Sequence, residues 1–303
     1  MARIILAGGS GFTGQLLTRH FLARGDEVVI LTRTPDKGPT AAQHVYWDAT
    51  TLGPWAQHLE NADVLLNLTG KSVNCRYHEK NKRAILSSRV NATQVLGQAL
   101  RLLKHPPKVW LNAASATIYR HAQDRPQDER TGEVGKGFSV EVCQAWESTF
   151  FGQETPGTRK VALRMAIVLD KDGGVMPYFL NLARFGLGGR QGNGLQCFSW
   201  IHAQDLVESI DFLIAHQELE GVFNLASPRP VPNHHFMCAV RQALKAPFGL
   251  PATKWMLEIG ALVLGTETEL LLKSRWVVPT RLLEAGYRFK VNTIEEAVKL
   301  CVE

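Results

Sequence analysis

Three glycines at even spacing open the chain: Gly8, Gly11 and Gly14 in the segment GGSGFTG. Glycine has no Cβ, so a backbone built from it can turn sharply and let its N–H groups approach an anion closely. In that pattern Gly8 permits a tight turn and Gly11 lets the backbone approach a pyrophosphate. Gly14 lets a following helix pack against the preceding strand. Ser10, Phe12 and Thr13 lie in the same turn and share the expectation of a cofactor contact. The flanks agree. An apolar run from Ile4 to Ala7 leads in, an amphipathic segment follows, and a second apolar run extends from Val28 to Leu31. Strand, glycine turn, helix and strand together are what a dinucleotide-binding fingerprint requires.

A binder of NAD carries an acidic residue about 20 residues further on, at the end of the second strand. This chain has Thr32 and Arg33 there, with Lys37 nearby. A carboxylate would repel a 2′-phosphate, whereas a guanidinium can pair with it through two hydrogen bonds. The expected cofactor is therefore NADP(H). The other reading of Arg33 is a solvated strand end.

The elements that must hold these residues alternate through the first two thirds of the chain. Strands are expected at Arg3 to Ala7, Glu27 to Thr32, His44 to Trp47, Ala62 to Leu68, Lys108 to Ala114 and Lys160 to Leu169. Helices are expected at about Gly14 to Ala23, Glu79 to Lys104 and Ser139 to Gly152, with Gly25 ending the first. The fold class is α/β: a Rossmann-like doubly wound parallel sheet with a smaller mixed C-terminal domain capping its carboxyl edge. The sheet domain should comprise residues 1–169 and about 203–227. The capping domain should comprise about 170–202 and 228–303, where a Gly-rich stretch (Phe185 to Gly194) and repeated prolines break the pattern.

Whole-chain properties narrow the function. The 303 residues are 45% hydrophobic and 20% charged, which is ordinary for a globular protein that buries a sizeable core. No apolar run reaches about 18 residues, and the N-terminus enters a strand directly, so a soluble cytoplasmic protein is expected. Five scattered cysteines without a C-x-x-C pair argue against a disulfide framework and against a metal site. The net charge of +6 comes from dispersed residues, so nucleic acid is not an expected partner; a small, anionic or nucleotide-linked substrate accounts for it as well.

Seven segments in order resemble the extended short-chain dehydrogenases/reductases, specifically their epimerase-like subfamily. These are GGSGFTG with LTR (Leu31 to Arg33), NLTG (Asn67 to Gly70), SSRVNAT (Ser87 to Thr93), ASATIY (Ala114 to Tyr119), CQAWE (Cys143 to Glu147), the Gly-rich loop with SWIHAQDL (Ser199 to Leu206), and VVPTRLLEAGYRF (Val277 to Phe289). The resemblance implies that Asp48 approaches the adenine and that Leu68, Thr69 and Gly70 line the ribose and pyrophosphate. It implies that Arg89 belongs to the cofactor site and that Arg164 sits near the nicotinamide end. A homodimer is among the states it implies, since the long helices pair across a dimer in that class. Asp48 is equally well placed to cap its own Thr-rich turn.

The wider class uses Ser, Tyr and Lys together, the ammonium lowering the tyrosine's pKa so that the phenol can exchange a proton with substrate. Ser115 takes the serine position. At the Y-x-x-x-K register this chain has Ser139 and Cys143, which supply neither a phenol nor a fixed charge. Tyr119, on the loop that carries Ser115, is the candidate replacement; its other reading is a packing tyrosine. His202 reads as a helix start, with Asp205 in the first turn. Cys143 reads as a packed residue and the adjacent His234 and His235 as pointing apart. Arg184 and Arg190 flank the Gly-rich loop, as solvated arginines or as contacts for a substrate anion. Two functions remain: an NADP-dependent oxidoreductase or epimerase with a reorganised acid/base set, and a non-catalytic NADPH-binding sensor.

Overall fold

The computed structural model describes residues 1–35, 41–253, 255–258, 265 and 267–303. Lys37 lies outside them. The main sheet is built from β1 (Arg3–Ala7), β2 (Glu27–Thr32), β3 (Gln43–Tyr46), β4 (Val64–Asn67), β5 (Val109–Ser115), β6 (Arg159–Met165) and, after four further short strands described below, Gly221–Leu225 (β11). Its order is β11-β6-β5-β4-β1-β2-β3 and every neighbouring pair is parallel. The chain reverses direction across the sheet between β1 and β4, which opens a crevice at the carboxyl ends of those strands.

Alternate residues of each strand are apolar on both faces because both faces are covered. Ile4, Leu6, Leu111 and Leu163 enter one core with α1 (Phe12–Ala23) and α5 (Ala203–Ala215). Ile5, Ala7, Trp110 and Ala162 enter the other, beneath α2 (Glu79–Arg101) and α3 (Phe138–Phe151). Helix α1 ends as expected from Gly25: that residue has φ +85°, and the N–H groups of Gly25 and Asp26 close onto Leu22 O and Phe21 O.

The apolar run from Lys160 to Leu169, expected to be one strand, is two. It breaks at Ala166, whose N–H goes to Leu225 O, while the Ile167 N–H goes to Ser199 O. The chain changes sheets at that residue. β7 (Ile167–Asp170) pairs with β10 (Trp200–His202) and with the short β8 (Gly173–Gly174), and β9 (Cys197–Phe198) pairs with β12 (Val231–Pro232). Around them a third core forms with α4 (Met176–Arg184), α6 (Asn233–Ala243) and the terminal helix Ile294–Leu300. Phe198 stacks on Phe236 at 4.2 Å between ring centres.

The C-terminal stretch serves both bodies. Leu282, Tyr287 and Phe289 pack in the core beneath α1 and α5, whereas Val291, Ile294 and Val298 pack in the third core. Asp205 makes that path possible. Its buried carboxylate accepts the N–H groups of Lys290 (2.8 Å) and Val291 (3.0 Å) and the Tyr287 hydroxyl (3.3 Å). Among the described residues no helix is long and apolar enough to cross a membrane and no three His, Cys, Asp or Glu side chains cluster as metal ligands. All five cysteines are free.

Removing the Asp205 carboxylate strands two backbone donors where the C-terminal segment docks. Asp205→Ala should cost about 2–4 kcal/mol and lower the melting temperature by roughly 4–10 °C. Glu208→Ala, which removes a surface ion pair with Lys290 and a hydrogen bond from the Gln204 amide, should change stability by less than about 1 kcal/mol. Equal melting temperatures for wild type and Asp205→Ala would contradict the clasp.

Candidate cofactor and substrate site

Parallel strands bring the candidate residues to one edge. Gly8 follows β1, Thr32 ends β2 with Arg33 just after it, Asp48 follows β3, Leu68 to Gly70 follow β4, Ser115 ends β5, and Arg164 is the penultimate residue of β6. Gly8 has φ +76°, and a Cβ there would lie 2.9 Å from the Thr69 Cα, so the turns after β1 and β4 touch through backbone. A Cβ on Gly14 would meet the Gly9 carbonyl oxygen at 2.3 Å. Gly11 differs: nothing lies within 4 Å of where its Cβ would be. It occupies the N-cap of α1 at φ −79°, with no side chain capping the helix and no acidic residue in its first turn. The helix therefore presents its N–H groups and its positive end to open space.

Other residues of the motif have defined neighbours. The Ser10 carbonyl accepts from the Gln15 amide at 3.2 Å. The Phe12 ring lies against Gly173 and Gly174, so it joins α1 to β8. Thr13 is half-buried in the first turn of α1. Leu68 continues the β4 path through a 2.8 Å bond to Ala7 O. The Thr69 N–H is held by Asn67 Oδ1 at 3.1 Å, but its buried hydroxyl makes no hydrogen bond among the described residues.

Thr32 is buried and its hydroxyl accepts the Thr34 N–H at 3.3 Å. Arg33 is exposed and makes no hydrogen bond or ion pair among the described residues. Asp48 is engaged locally: it accepts from Thr50 N, Thr51 N and the Thr51 hydroxyl at 2.6–2.9 Å. The Thr51 hydroxyl and these N–H groups hold its carboxyl well below the usual range.

Beyond Gly70 a cavity of about 120 Å³ opens between the loop after β4, the start of α2, the end of β5 and α3. Tyr77, Arg89, Ser115, Ser139, Cys143 and Trp146 are among the residues lining it. Ser115 caps a short 3-10 turn by accepting the Thr117 N–H at 3.2 Å. Ser139 donates to Glu269 at 3.1 Å. Cys143 is buried, and that burial pushes its thiol up to about 11, leaving it protonated at neutral pH.

Tyr119 does not line this cavity. Its side chain is buried with Ile118 and Val277, and its hydroxyl donates to Asn224 (3.0 Å) and accepts from Arg164 (2.8 Å). Burial raises its pKa against the opposing effect of Arg164. Arg164 itself is gripped by Glu147 through two bonds of 2.7 Å, which outweigh burial and hold the guanidinium charged. The packing reason is plain: the phenol completes the coordination of a buried ion pair joining α3 to β6.

The remaining candidates serve the scaffold. His202 caps α5 by accepting the Gln204 N–H at 3.2 Å. His234 contacts Gly194 O and His235 contacts Glu295, in separate directions. Arg184 and Arg190 are exposed and line no part of the cavity. Close packing requires Gly189, between them, and Gly249, which faces it: Cβ atoms there would fall 2.4 and 2.6 Å from facing backbone.

Sequence reasoning missed Tyr77, Trp146, Glu269, Lys273 and Arg275. Trp146 stands in CQAWE and was readable as a packing residue; the indole donates to Thr93 at 3.1 Å and its ring carries Arg89 at 5.0 Å. The others come from irregular stretches or, for Glu269, from a one-turn helix, and only the fold brings them to the surroundings of Thr117 and Ser139.

Residues 4–226 match the NAD dependent epimerase/dehydratase family, and residues 252–300 match a domain of unknown function, DUF1731. The epimerase family protein SDR39U1 of Bos taurus is 32% identical over 305 residues, spanning 98% of both chains. The crystal structure of human epimerase family protein SDR39U1 (isoform2) with NADPH has a TM-score of 0.88 to this chain at 29% identity, covering 99% of each. UDP-N-acetylglucosamine 4-epimerase from Bacillus cereus shares the fold with a TM-score of 0.78 at 17% identity, over 100% of this chain and 98% of that one. With the family match spanning most of its length, and the parallel sheet and glycine turn in place, the chain belongs to the NAD dependent epimerase/dehydratase family.

Proposed function

We propose that the protein binds NADPH along the carboxyl edge of the main sheet and acts as an NADP-dependent oxidoreductase or epimerase on a small carbonyl or carbinol substrate. The observation that carries this reading is the open space at Gly11, beside the uncapped end of α1. A pyrophosphate fills such a space, and the backbone N–H groups of a helix end suit it. Arg33, exposed and unpaired among the described residues, suits a 2′-phosphate. The NADPH in the human relative's crystal supports the same choice.

When bound, the cofactor supplies or accepts a hydride. This chain's residues must then hold the reacting oxygen and handle its proton. Ser115 faces the cavity and can donate a hydrogen bond to a substrate oxygen. Tyr119 positions Arg164 rather than reaching substrate, because both of its hydroxyl contacts are internal. Tyr77 is the phenol that lines the cavity, and burial raises its pKa, which favours the neutral, proton-donating form. A second reading, a sensor that binds NADPH without turnover, is favoured by the resemblance, which implies Ser139 and Cys143 at the register of the wider class's tyrosine and lysine.

The two readings separate when NADPH absorbance at 340 nm is followed with the protein and a broad panel of aldehydes and ketones. The enzyme reading expects oxidation with some member, lost in Ser115→Ala and retained in a Tyr119→Phe variant that folds. Tight NADPH binding without oxidation across the panel supports the sensor.

Gly11→Ala should fold normally, since its φ suits any residue and its surroundings are empty, yet weaken NADPH binding by about tenfold or more as the methyl group enters the phosphate space. Unchanged affinity would remove the phosphate from that position. Arg33→Ala should weaken NADPH by about tenfold and leave NADH nearly unaffected. A constant NADPH-to-NADH ratio would remove Arg33 from cofactor choice.

A further inference from the structure

The basic residues are dispersed along the chain, but their excess over the acidic ones is not. Residues 173–202 and 228–257 contain Arg184, Arg190, Arg229, Arg241, Lys245 and Lys254 and no Asp or Glu, which leaves 28 basic and 28 acidic residues in the rest of the chain. These two stretches therefore hold the whole net charge of +6. Both belong to the body built around the third core, and the first contains the Gly-rich loop. Arg184, Arg190, Arg229 and Lys245 are exposed and make no ion pair among the described residues.

Large apolar side chains stand out from the same loop and from the loop it packs on. Phe185 is 81% exposed, Phe248 60%, Leu250 57% and Leu187 44%. Tyr178, also exposed, lies two turns before Phe185 on the same face of α4. The two loops are locked together. The Leu250 N–H donates to Gly186 O at 2.8 Å, the Gly189 N–H to Leu250 O at 3.2 Å, and Arg241 Nη1 to Gly188 O at 2.6 Å. The inside of this joint is backbone: Cβ atoms on Gly188, Gly189 and Gly249 would fall 2.9, 2.4 and 2.6 Å from neighbouring backbone atoms. No room is left beneath for the large side chains, and the Phe248 ring lies over Gly186. The glycines thus hold a fixed apolar projection on the surface.

Contiguous apolar surface of this kind marks a contact with another protein or with a membrane. The charge chooses between them. Arg184 adjoins Phe185 and Lys245 stands three residues before Phe248, so uncompensated cations border the apolar tips. A second copy of the chain would bring the same cations to the contact, and like charges facing each other oppose it. A single acidic partner accounts for the cations at the joint, but not for an excess spread over the whole body. An anionic bilayer accounts for both. It receives apolar tips at the boundary between headgroups and acyl chains, and its surface potential attracts basic residues over a wide area without fixed pair geometry. Among the described residues no helix is long and apolar enough to cross a membrane, so such a contact is peripheral.

We propose that the tip formed by Phe185, Leu187, Phe248 and Leu250, with Arg184 and Lys245 beside it, is a peripheral docking surface for an anionic lipid bilayer. It uses residues that neither line the cavity nor belong to the glycine turn after β1, so it stands independently of the cofactor reading.

The test is co-sedimentation of the full-length protein with vesicles of phosphatidylcholine and with vesicles of an equal mixture of phosphatidylcholine and phosphatidylglycerol, at low and at high sodium chloride. Binding to the mixed vesicles is expected, falling with salt, with far less to phosphatidylcholine alone. Arg184→Gln with Lys245→Gln should weaken it by about tenfold or more, since each basic residue at an anionic surface is worth about fivefold. Phe185→Ser with Phe248→Ser should weaken it by about tenfold or more at unchanged net charge. Arg101→Gln with Lys104→Gln, an equal loss of charge from exposed positions near the end of α2, should bind as wild type does. So should Gly11→Ala, which separates failure of the cofactor reading from failure of the docking surface. Melting curves establish that each variant is folded. If the double Phe variant is not, Phe185→Ser alone, at the most exposed of the four tip positions, carries the test. Absence of binding to the mixed vesicles overturns the proposal, as does equal binding to both compositions or an equal loss in the α2 charge variant. Self-association that the Phe substitutions abolish, without vesicle binding, overturns it as well and assigns the surface to a second copy.

Discussion

At Gly8 the chain passes so close to Thr69 that one added carbon would sit 2.9 Å from the Thr69 Cα. This contact between the turns after β1 and β4 exists because the sheet reverses its winding between those two strands. It requires a residue without a side chain in a left-handed conformation, and it fixes the walls of the crevice. A second close contact, Gly14 against the Gly9 backbone, aims α1 into the same crevice. Once both are made, the helix end, the turn after β4 and Arg33 just past β2 share one edge. Long-range strand pairing creates the site, and two glycines allow it to close to working distance.

The second structural dependency runs through the C-terminal segment. It is held by Ser199 and Asp205, two polar groups of one segment, while His202 between them caps α5. Buried polar side chains must be satisfied, and here they are satisfied by the backbone of a segment far away in sequence. The outcome is a site assembled from both bodies. α3 supplies Ser139 and Cys143, while the C-terminal segment supplies Glu269 to the first and Lys273 to the surroundings of the second.

Much of this was legible in the sequence. β1 and β2 coincide with their expected bounds because each is a short continuous apolar run with a glycine turn at one end, Gly8 after β1 and Gly25 before β2. The end of α1 was readable from Gly25, and the turn-capping alternative for Asp48 from the threonines after it. The break at Ala166 was not readable. Both halves of that run are apolar, and the break is set by which distant carbonyl each N–H finds. Tyr77, Lys273 and Arg275 were invisible for a related reason: they lie in segments without periodicity, and their chemistry arises only from what the fold packs beside them. Tyr119 shows the converse, since proximity to Ser115 in sequence did not place its hydroxyl in the cavity.

The central claim is that the crevice is built for a nicotinamide dinucleotide carrying a 2′-phosphate. Equilibrium titration of the wild-type protein with NADPH and with NADH, followed by cofactor fluorescence, tests it most directly. The account predicts saturable binding of both, with NADPH tighter by about tenfold or more, the value of one charge-assisted pair at the strand end. Equal affinities, or binding of neither, would contradict it.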